Sequence, residues 1–376
     1  MAMSFMEGNE AIARGAVAAG CRFFAGYPIT PATTVYNNML RLLPPLGGVC
    51  LQGEDEIASI GFCLGAAMAG EKVLTATSGP GISLYSEQLS FAIGSEIPLV
   101  IVNIQRLGPS TGSATRGADG DVQFMQWGNS GGLPVIALAP VDIRDCYALT
   151  ARAFDLAERF RCPVFLAANK EIAMTRESVD LESIILPEPT TRRMAPSTAE
   201  DADTDVFLPF ATDEGETVPP FLPIGGERLV RQTSSTHGPD GYITTDATVI
   251  DGMQKRLQAK INSAADELAL YEAEIDPEAD TLVITYGVTA RAVRQAVADA
   301  RQKGRALSLL TLKTLWPVSE TLLRETLAAH NRAVVVEMNM GQYVREIERL
   351  AGSTVVDFYG QMDGNLLHPS RIGEVL

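Results

Sequence analysis

Over residues 1–177, short apolar runs alternate with segments whose apolar positions recur at helical spacing. Arg22–Ala25 reads as a strand and leads into Gly26-Tyr27-Pro28. Thr34–Leu43 has helical spacing and stops at Pro44-Pro45. Lys72–Thr77 reads as a buried strand ended by Ser78-Gly79-Pro80-Gly81, and Ser83–Ser95 as a helix. Pro98–Ile104, Val135–Leu138 and Val164–Leu166 are further strands, with a helix from Asp142 to Arg159 before the last. Such alternation predicts a doubly wound α/β fold, a mostly parallel sheet with helices on both faces.

The pattern breaks over residues 178–279. Prolines cluster there, and Glu200, Asp201, Asp203 and Asp205 sit among Ala and Thr. Periodicity returns only at Val249–Tyr271, which reads as a polar helix. A segment this long without its own periodicity is expected to be an arm that wraps another surface. The alternative is a tether without structure. Alternation resumes over residues 280–376. Thr281–Tyr286, Leu307–Leu312, Ala333–Val336 and Val355–Phe358 read as strands and Ala290–Lys303 as a helix, a second and smaller α/β domain.

Composition narrows the function classes. The formal net charge is −16, which argues against nucleic acid, because phosphate binding needs clustered Lys and Arg. No run of 18 apolar residues is present, so no membrane span is expected, and the acidic start of the chain does not read as a signal peptide. The cytoplasm is the default. The five cysteines are dispersed without a C-x-x-C pair, and the three histidines lie far apart. Neither a disulfide framework, an iron–sulfur cluster nor a zinc site is expected in this chain.

The densest chemical signal runs from Gln52 to Val102. Glu56 opens a segment rich in small residues, with Gly61 and Gly65 on one helix face. A face so stripped suits close approach by a partner helix or a ligand. A strand, the loop Thr77-Ser78-Gly79-Pro80-Gly81 and the run Ile97-Pro98-Leu99-Val100 follow. The loop is rich in backbone donors at a helix start.

This ordered set resembles the pyrimidine-binding domain of thiamine-diphosphate enzymes. In that family a glutamate hydrogen-bonds N1′ of the cofactor's aminopyrimidine and favours its imino tautomer, which primes the cofactor for a 2-oxo acid. An apolar pocket strengthens that shared proton. Glu54 and Asp55 compete for the role, and the spacing Glu-x4-Gly-x3-Gly-Ala fits Glu56 best. The family's GDG-and-Asn metal motif is missing; Ala118-Asp119-Gly120-Asp121 comes nearest, in the wrong context. The resemblance therefore implies that a different subunit carries Mg²⁺ and the diphosphate, and no metal ligand is assigned here.

Tyr27-Pro28-Ile29-Thr30-Pro31, then Gln105-Arg106-Leu107-Gly108-Pro109-Ser110-Thr111-Gly112, resemble the α subunit of 2-oxoacid:ferredoxin oxidoreductases, most of all the 2-oxoglutarate branch. Tyr286-Gly287, Leu312 to Pro317 and Val334 to Gln342 resemble that family's transketolase-like C-terminal domain. By position, Thr30 and Arg106 would bind the 2-oxo and carboxylate groups, since the planar guanidinium suits a carboxylate. Taken alone, Thr30 also fits a helix N-cap. Tyr27, Pro28, Ile29, Ser78 and Gly79 would join Glu56 around the cofactor. Related loops continue into Pro-Thr and Gln-x-Asp, whereas here Ser113 to Asp121 departs and adds Arg116, a candidate for the distal carboxylate of 2-oxoglutarate.

The resemblance implies a CoA-dependent oxidative decarboxylation of 2-oxoglutarate to succinyl-CoA, reversible with reduced ferredoxin. It further implies a β subunit carrying a [4Fe-4S] cluster in an α2β2 assembly. Pyruvate or another 2-oxo acid, or a non-redox thiamine-dependent decarboxylase or synthase, stays open.

Overall fold

Leu99–Gln105 and Pro163–Asn169 are buried along their whole length, as expected for the middle of a parallel sheet covered on both faces. In the computed structural model, which describes residues 3–186, 188–197 and 206–376, they are the centre of a seven-stranded sheet. Its order is Thr314–Trp316, Ile136–Leu138, Pro163–Asn169, Leu99–Gln105, Val73–Thr77, Phe23–Gly26 and Val49–Gln52. All neighbours are parallel except the first pair. The amphipathic helix Ile143–Phe160 lies on one face and Glu56–Met68 follows the edge strand. The predicted helix Ser83–Ser95 is two helices, Pro80–Leu84 and Ser86–Gly94, separated at Tyr85. A two-stranded antiparallel ribbon, Ser4–Glu7 with Arg176–Val179, adds to the expected elements.

The second sheet has five strands in the order Val355–Gly360, Arg332–Glu337, Thr281–Tyr286, Ser308–Leu312 and Tyr271–Glu274. The last is antiparallel. The polar helix expected over Val249–Tyr271 instead spans Ala247–Asn262, and Tyr271 opens the edge strand. Asp246 sets the start, accepting from the Thr248 and Val249 amides at 2.9 and 3.0 Å. The two sheets are joined through Thr314–Trp316, which leaves the second to pair with Ile136–Leu138 of the first.

The proline-rich arm wraps the helices of the first sheet. Prolines donate no backbone hydrogen bond, so their segment offers mainly carbonyls, and buried arginines supply the donors. Arg161, 2 % exposed, reaches the carbonyls of Pro219 and Pro220 at 3.1 and 3.0 Å. Arg192 pairs with Glu158 at 2.8 Å and caps the carbonyls of Ala67 and Glu71. The Phe221 ring receives both guanidinium groups on its face. The tether reading fails for the described part of this segment. The acids Glu200, Asp201, Asp203 and Asp205 lie outside the described residues.

Candidate active site

Four adjacent parallel strands, Val49–Gln52, Phe23–Gly26, Val73–Thr77 and Leu99–Gln105, end on one edge of the first sheet. Their C-terminal loops carry Glu56, Tyr27 to Thr30, Ser78-Gly79 and Arg106. In open α/β sheets this edge is where ligands bind.

The three acids are placed differently. Asp55 is the N-cap of Glu56–Met68, its Oδ1 accepting from the Ala58 amide at 2.7 Å. Glu54 is exposed. Glu56 is 6 % exposed, and among the described residues its carboxyl makes no hydrogen bond.

The TSGPG loop is shaped around this carboxyl. A Cβ on Gly81 would stand 2.0 Å from Thr77 Oγ1 and 2.8 Å from Glu56 Oε1. Gly79 adopts φ +53°, and a Cβ there would lie 2.6 Å from Arg106 Nε. Glycine is thus required twice, once for backbone conformation and once for the approach of the two charged groups. Thr77 Oγ1 and Ser78 Oγ are buried and unpaired.

Arg106 is 6 % exposed. Its Nη1 donates to the Thr30 carbonyl at 2.5 Å and its Nη2 to the Thr111 carbonyl at 2.9 Å, while Nε is buried and unpaired. Burial lowers its pKa from the ordinary value, against the pull of the Asp121 and Glu56 carboxylates. The loop after it is cinched by Leu107 N to Arg116 O and Ser113 N to Leu107 O, both 2.8 Å.

The Thr30 side chain is exposed and does not cap the helix Thr33–Leu42, whose N-cap is Ala32. Its carbonyl is what reaches Arg106. Tyr27 is partly exposed at the rim. Arg116 is not in the hydrogen-bonded cluster: it is exposed and donates to Asn365 Oδ1 of the second sheet's C-terminal loop at 3.3 Å.

The sequence reading missed Asp121. Its Oδ2 accepts from Asn103 Nδ2 at 3.1 Å, and its amide donates to Gln105 Oε1 at 3.0 Å. Burial raises its pKa to about 6, against the opposing effects of Asn103 and Arg106. Read as a failed metal motif, Asp119-Gly120-Asp121 gave no sign of this contact with the strand end. Burial likewise raises Asp119 to about 8, with Glu171, Glu337 and Asp121 adding to it and Asn169 opposing.

The residues present fit the aminopyrimidine end of thiamine diphosphate. Glu56 accepts no hydrogen bond among the described residues, Thr77 and Ser78 hold unspent hydroxyls, and the two glycines let the loop backbone lie against Thr77, Glu56 and Arg106. Bound there, the cofactor supplies the carbanion chemistry that no side chain can. Among the described residues no three His, Cys, Asp or Glu side chains are grouped to hold a metal ion, and no helix is long and apolar enough to cross a membrane.

Known proteins resemble this chain along its length. Residues 14–255 match the model for the pyruvate flavodoxin/ferredoxin oxidoreductase thiamine-diphosphate-binding domain, and residues 279–372 match pyruvate:ferredoxin oxidoreductase core domain II. The 2-oxoglutarate synthase subunit KorA of Methanocaldococcus jannaschii is 40 % identical over 374 residues, 99 % of this chain and 98 % of that one. The subunit of the same name from Methanothermobacter thermautotrophicus is 39 % identical over 372 residues, 98 % of this chain and 96 % of that one. The structure of 2-oxoglutarate:ferredoxin oxidoreductase from Magnetococcus marinus, with 2-oxoglutarate, coenzyme A and succinyl-CoA bound, superposes with a TM-score of 0.92 at 31 % identity. It matches 99 % of this chain, which spans 64 % of that structure's chain. A buried glutamate without a donor, an arginine held over a TSGPG loop and two matching domain models together place this chain in the pyruvate flavodoxin/ferredoxin oxidoreductase family.

Proposed function

We propose that this chain is the α subunit of a CoA-acylating 2-oxoacid:ferredoxin oxidoreductase, acting on 2-oxoglutarate to give succinyl-CoA, CO₂ and reduced ferredoxin. The observation that carries this is the buried, donorless Glu56 carboxyl beside an arginine whose Nε is unspent. Glu56 holds a proton on the cofactor's ring nitrogen. Arg106, fixed by the Thr30 and Thr111 carbonyls, receives the substrate carboxylate. The Thr30 hydroxyl, exposed at the same rim, donates to the 2-oxo oxygen. Tyr27, Pro28, Ile29, Ser78 and Gly79 enclose the pyrimidine.

Arg116 meets the distal carboxylate of 2-oxoglutarate. Its support is an exposed guanidinium with no carboxylate at ion-pair distance among the described residues. Arg116→Ala should reduce the preference for 2-oxoglutarate over pyruvate by tenfold or more, in line with a lost charge-assisted bond of about 1.5–3 kcal/mol. An unchanged ratio removes Arg116 from the account.

A β subunit in an α2β2 assembly completes the site, carrying Mg²⁺, the diphosphate contacts and a [4Fe-4S] cluster that passes electrons singly to ferredoxin. Supporting this, the helix that starts at Glu56 leaves Ile57 and Phe62 exposed at 47 % each, and Gly65 faces open space. An apolar rim at a catalytic edge is suited to cover by another chain. The test is co-expression with a β-type subunit and viologen reduction with CoA across a panel of 2-oxo acids. Highest kcat/KM for 2-oxoglutarate supports the reading, and no reduction with any 2-oxo acid overturns it.

A further inference from the structure

Arg116 reaches from a loop of the first sheet onto a loop of the second. Its backbone belongs to the segment that follows Arg106, where the Leu107 amide donates to the Arg116 carbonyl at 2.8 Å. Its side chain lies on residues 361–366, which follow the edge strand Val355–Gly360. Gly364 is buried there with φ +80°, and a Cβ on it would stand 2.7, 3.0 and 3.2 Å from Arg116 Cβ, Cγ and Cδ. The aliphatic stem of Arg116 is thus laid flat along a backbone that favours glycine both for its conformation and for its lack of a side chain. At the far end, Arg116 Nη1 donates to Asn365 Oδ1 at 3.3 Å. The same loop touches the segment once more, where the Met362 methyl lies 3.0 Å from where a Cβ on Gly120 would stand.

The loop is shaped by its own bonds and not by Arg116. Gln361 N donates to Glu337 O at 3.3 Å at one end, and Leu367 is buried in the core at the other. Between them, Asp363 Oδ1 accepts from the Asn365 amide at 2.9 Å and from Gln361 Nε2 at 3.0 Å, and Gln361 Nε2 also donates to Asn365 O at 3.1 Å. These bonds occupy the Asn365 backbone and leave its side-chain oxygen to Arg116. The other guanidinium nitrogens make no hydrogen bond among the described residues. A neutral amide oxygen steers the guanidinium without cancelling its charge, and donors remain for a carboxylate.

We propose that Asn365 is a positioning residue which, with the Arg116 stem laid on Gly364, pre-orders that guanidinium for the second carboxylate of a dicarboxylic 2-oxo acid. Selection of 2-oxoglutarate over pyruvate is then set in part from the second sheet. The assignment rests on the reading of Arg116 as the group that meets the distal carboxylate. A long side chain loses rotamer freedom when it binds. One already laid on Gly364 and tied to Asn365 has lost much of it before the substrate arrives, which strengthens binding of the dicarboxylate. Pyruvate ends in a methyl group and gains nothing from the arrangement.

The test is Asn365→Ala and Asn365→Asp in the complete α and β complex, with viologen reduction measured for 2-oxoglutarate and for pyruvate. Asn365→Ala removes the acceptor. KM for 2-oxoglutarate should rise by roughly three- to tenfold with kcat unchanged, the scale of ordering one long side chain, while both constants for pyruvate stay the same. Asn365→Asp keeps an acceptor but pairs its charge with Arg116, so KM for 2-oxoglutarate should rise further and pyruvate should again be unaffected. In an Arg116→Ala background, Asn365→Ala should change nothing more. An unchanged substrate ratio in both Asn365 variants, or an equal loss with both substrates, overturns the assignment; if Arg116→Ala alone still lowers the ratio, the functional reading stands. A wild-type complex with no preference for 2-oxoglutarate overturns the substrate reading, and the assignment with it.

Discussion

Replacing Glu96 by Gln tests whether the arm is held by buried charge. Glu96 is fully buried and sits between the first sheet and the helix Ala247–Asn262. Its carboxylate accepts from Arg256 at 2.6 and 3.0 Å and from Lys260 at 2.8 Å, and its carbonyl accepts from Arg161 at 3.2 Å. Burial by itself would raise its pKa, but Lys260, Arg256 and Arg161 together bring it from 4.5 to about 2. A lowering of that size is worth about 3 kcal/mol. The sign follows from the carboxylate being the form that folding favours. The stability is fully present above pH about 4.5 and is lost as pH falls through about 2. Glu96→Gln also removes the anion from beside Lys260 and Arg256, which keep only the Arg161 and Thr217 carbonyls. Breaking a buried pair in this way costs roughly 3–5 kcal/mol. Urea denaturation at pH 7 should show a loss in that range, with the acid dependence between pH 4.5 and 2 reduced. Lys255→Ala, which breaks the exposed pair with Asp251, should cost no more than about 0.5 kcal/mol. A Glu96→Gln chain as stable as the wild type would refute the reasoning.

Three further outcomes follow from the site. Arg106→Lys should raise KM for the 2-oxo acid by roughly tenfold or more, because an ammonium cannot span the Thr30 and Thr111 carbonyls and still offer a planar pair of donors; unchanged KM would argue against carboxylate binding there. Gly81→Ala should fold but lose most activity in the complex, since its methyl would occupy space now shared by Thr77 Oγ1 and the Glu56 carboxyl; thermal denaturation beside steady-state rates separates the two effects. The isolated chain should turn over no 2-oxo acid, and mixing it with the β subunit should restore activity.

Much of this molecule was legible because its central strands are buried on both faces. A strand such as Leu99–Gln105 is then a nearly continuous apolar run, and a loop of Ser, Gly and Pro after it has few other uses. The helix that opens at Glu56 was legible for a related reason, since its small residues let it lie close to the sheet. The misreadings have a common physical origin in contacts distant along the chain. Tyr271–Glu274 is an exposed, charged edge strand, so its sequence carries no alternation, and only pairing with Ser308–Leu312 reveals it. Thr314–Trp316 is three residues long and pairs with a sheet assembled from a segment far upstream. The arm looked structureless because prolines suppress periodicity, while the Arg161 that binds its proline carbonyls lies outside it and the partners of its own Arg192 lie far upstream. The bonds of Asp121 were invisible because Asn103 and Gln105, which make them, lie on a strand earlier in the chain.

The central claim is that Glu56 activates a cofactor whose other end a second polypeptide holds. The most direct measurement is the rate at which thiamine diphosphate, bound to the α and β complex, exchanges its thiazolium C2 proton with deuterium, read after rapid quench by NMR. Glu56→Gln should slow that exchange by roughly 100-fold or more while the cofactor stays bound, the usual scale of a lost acid–base partner. Exchange at the wild-type rate in the Glu56→Gln complex would contradict the account.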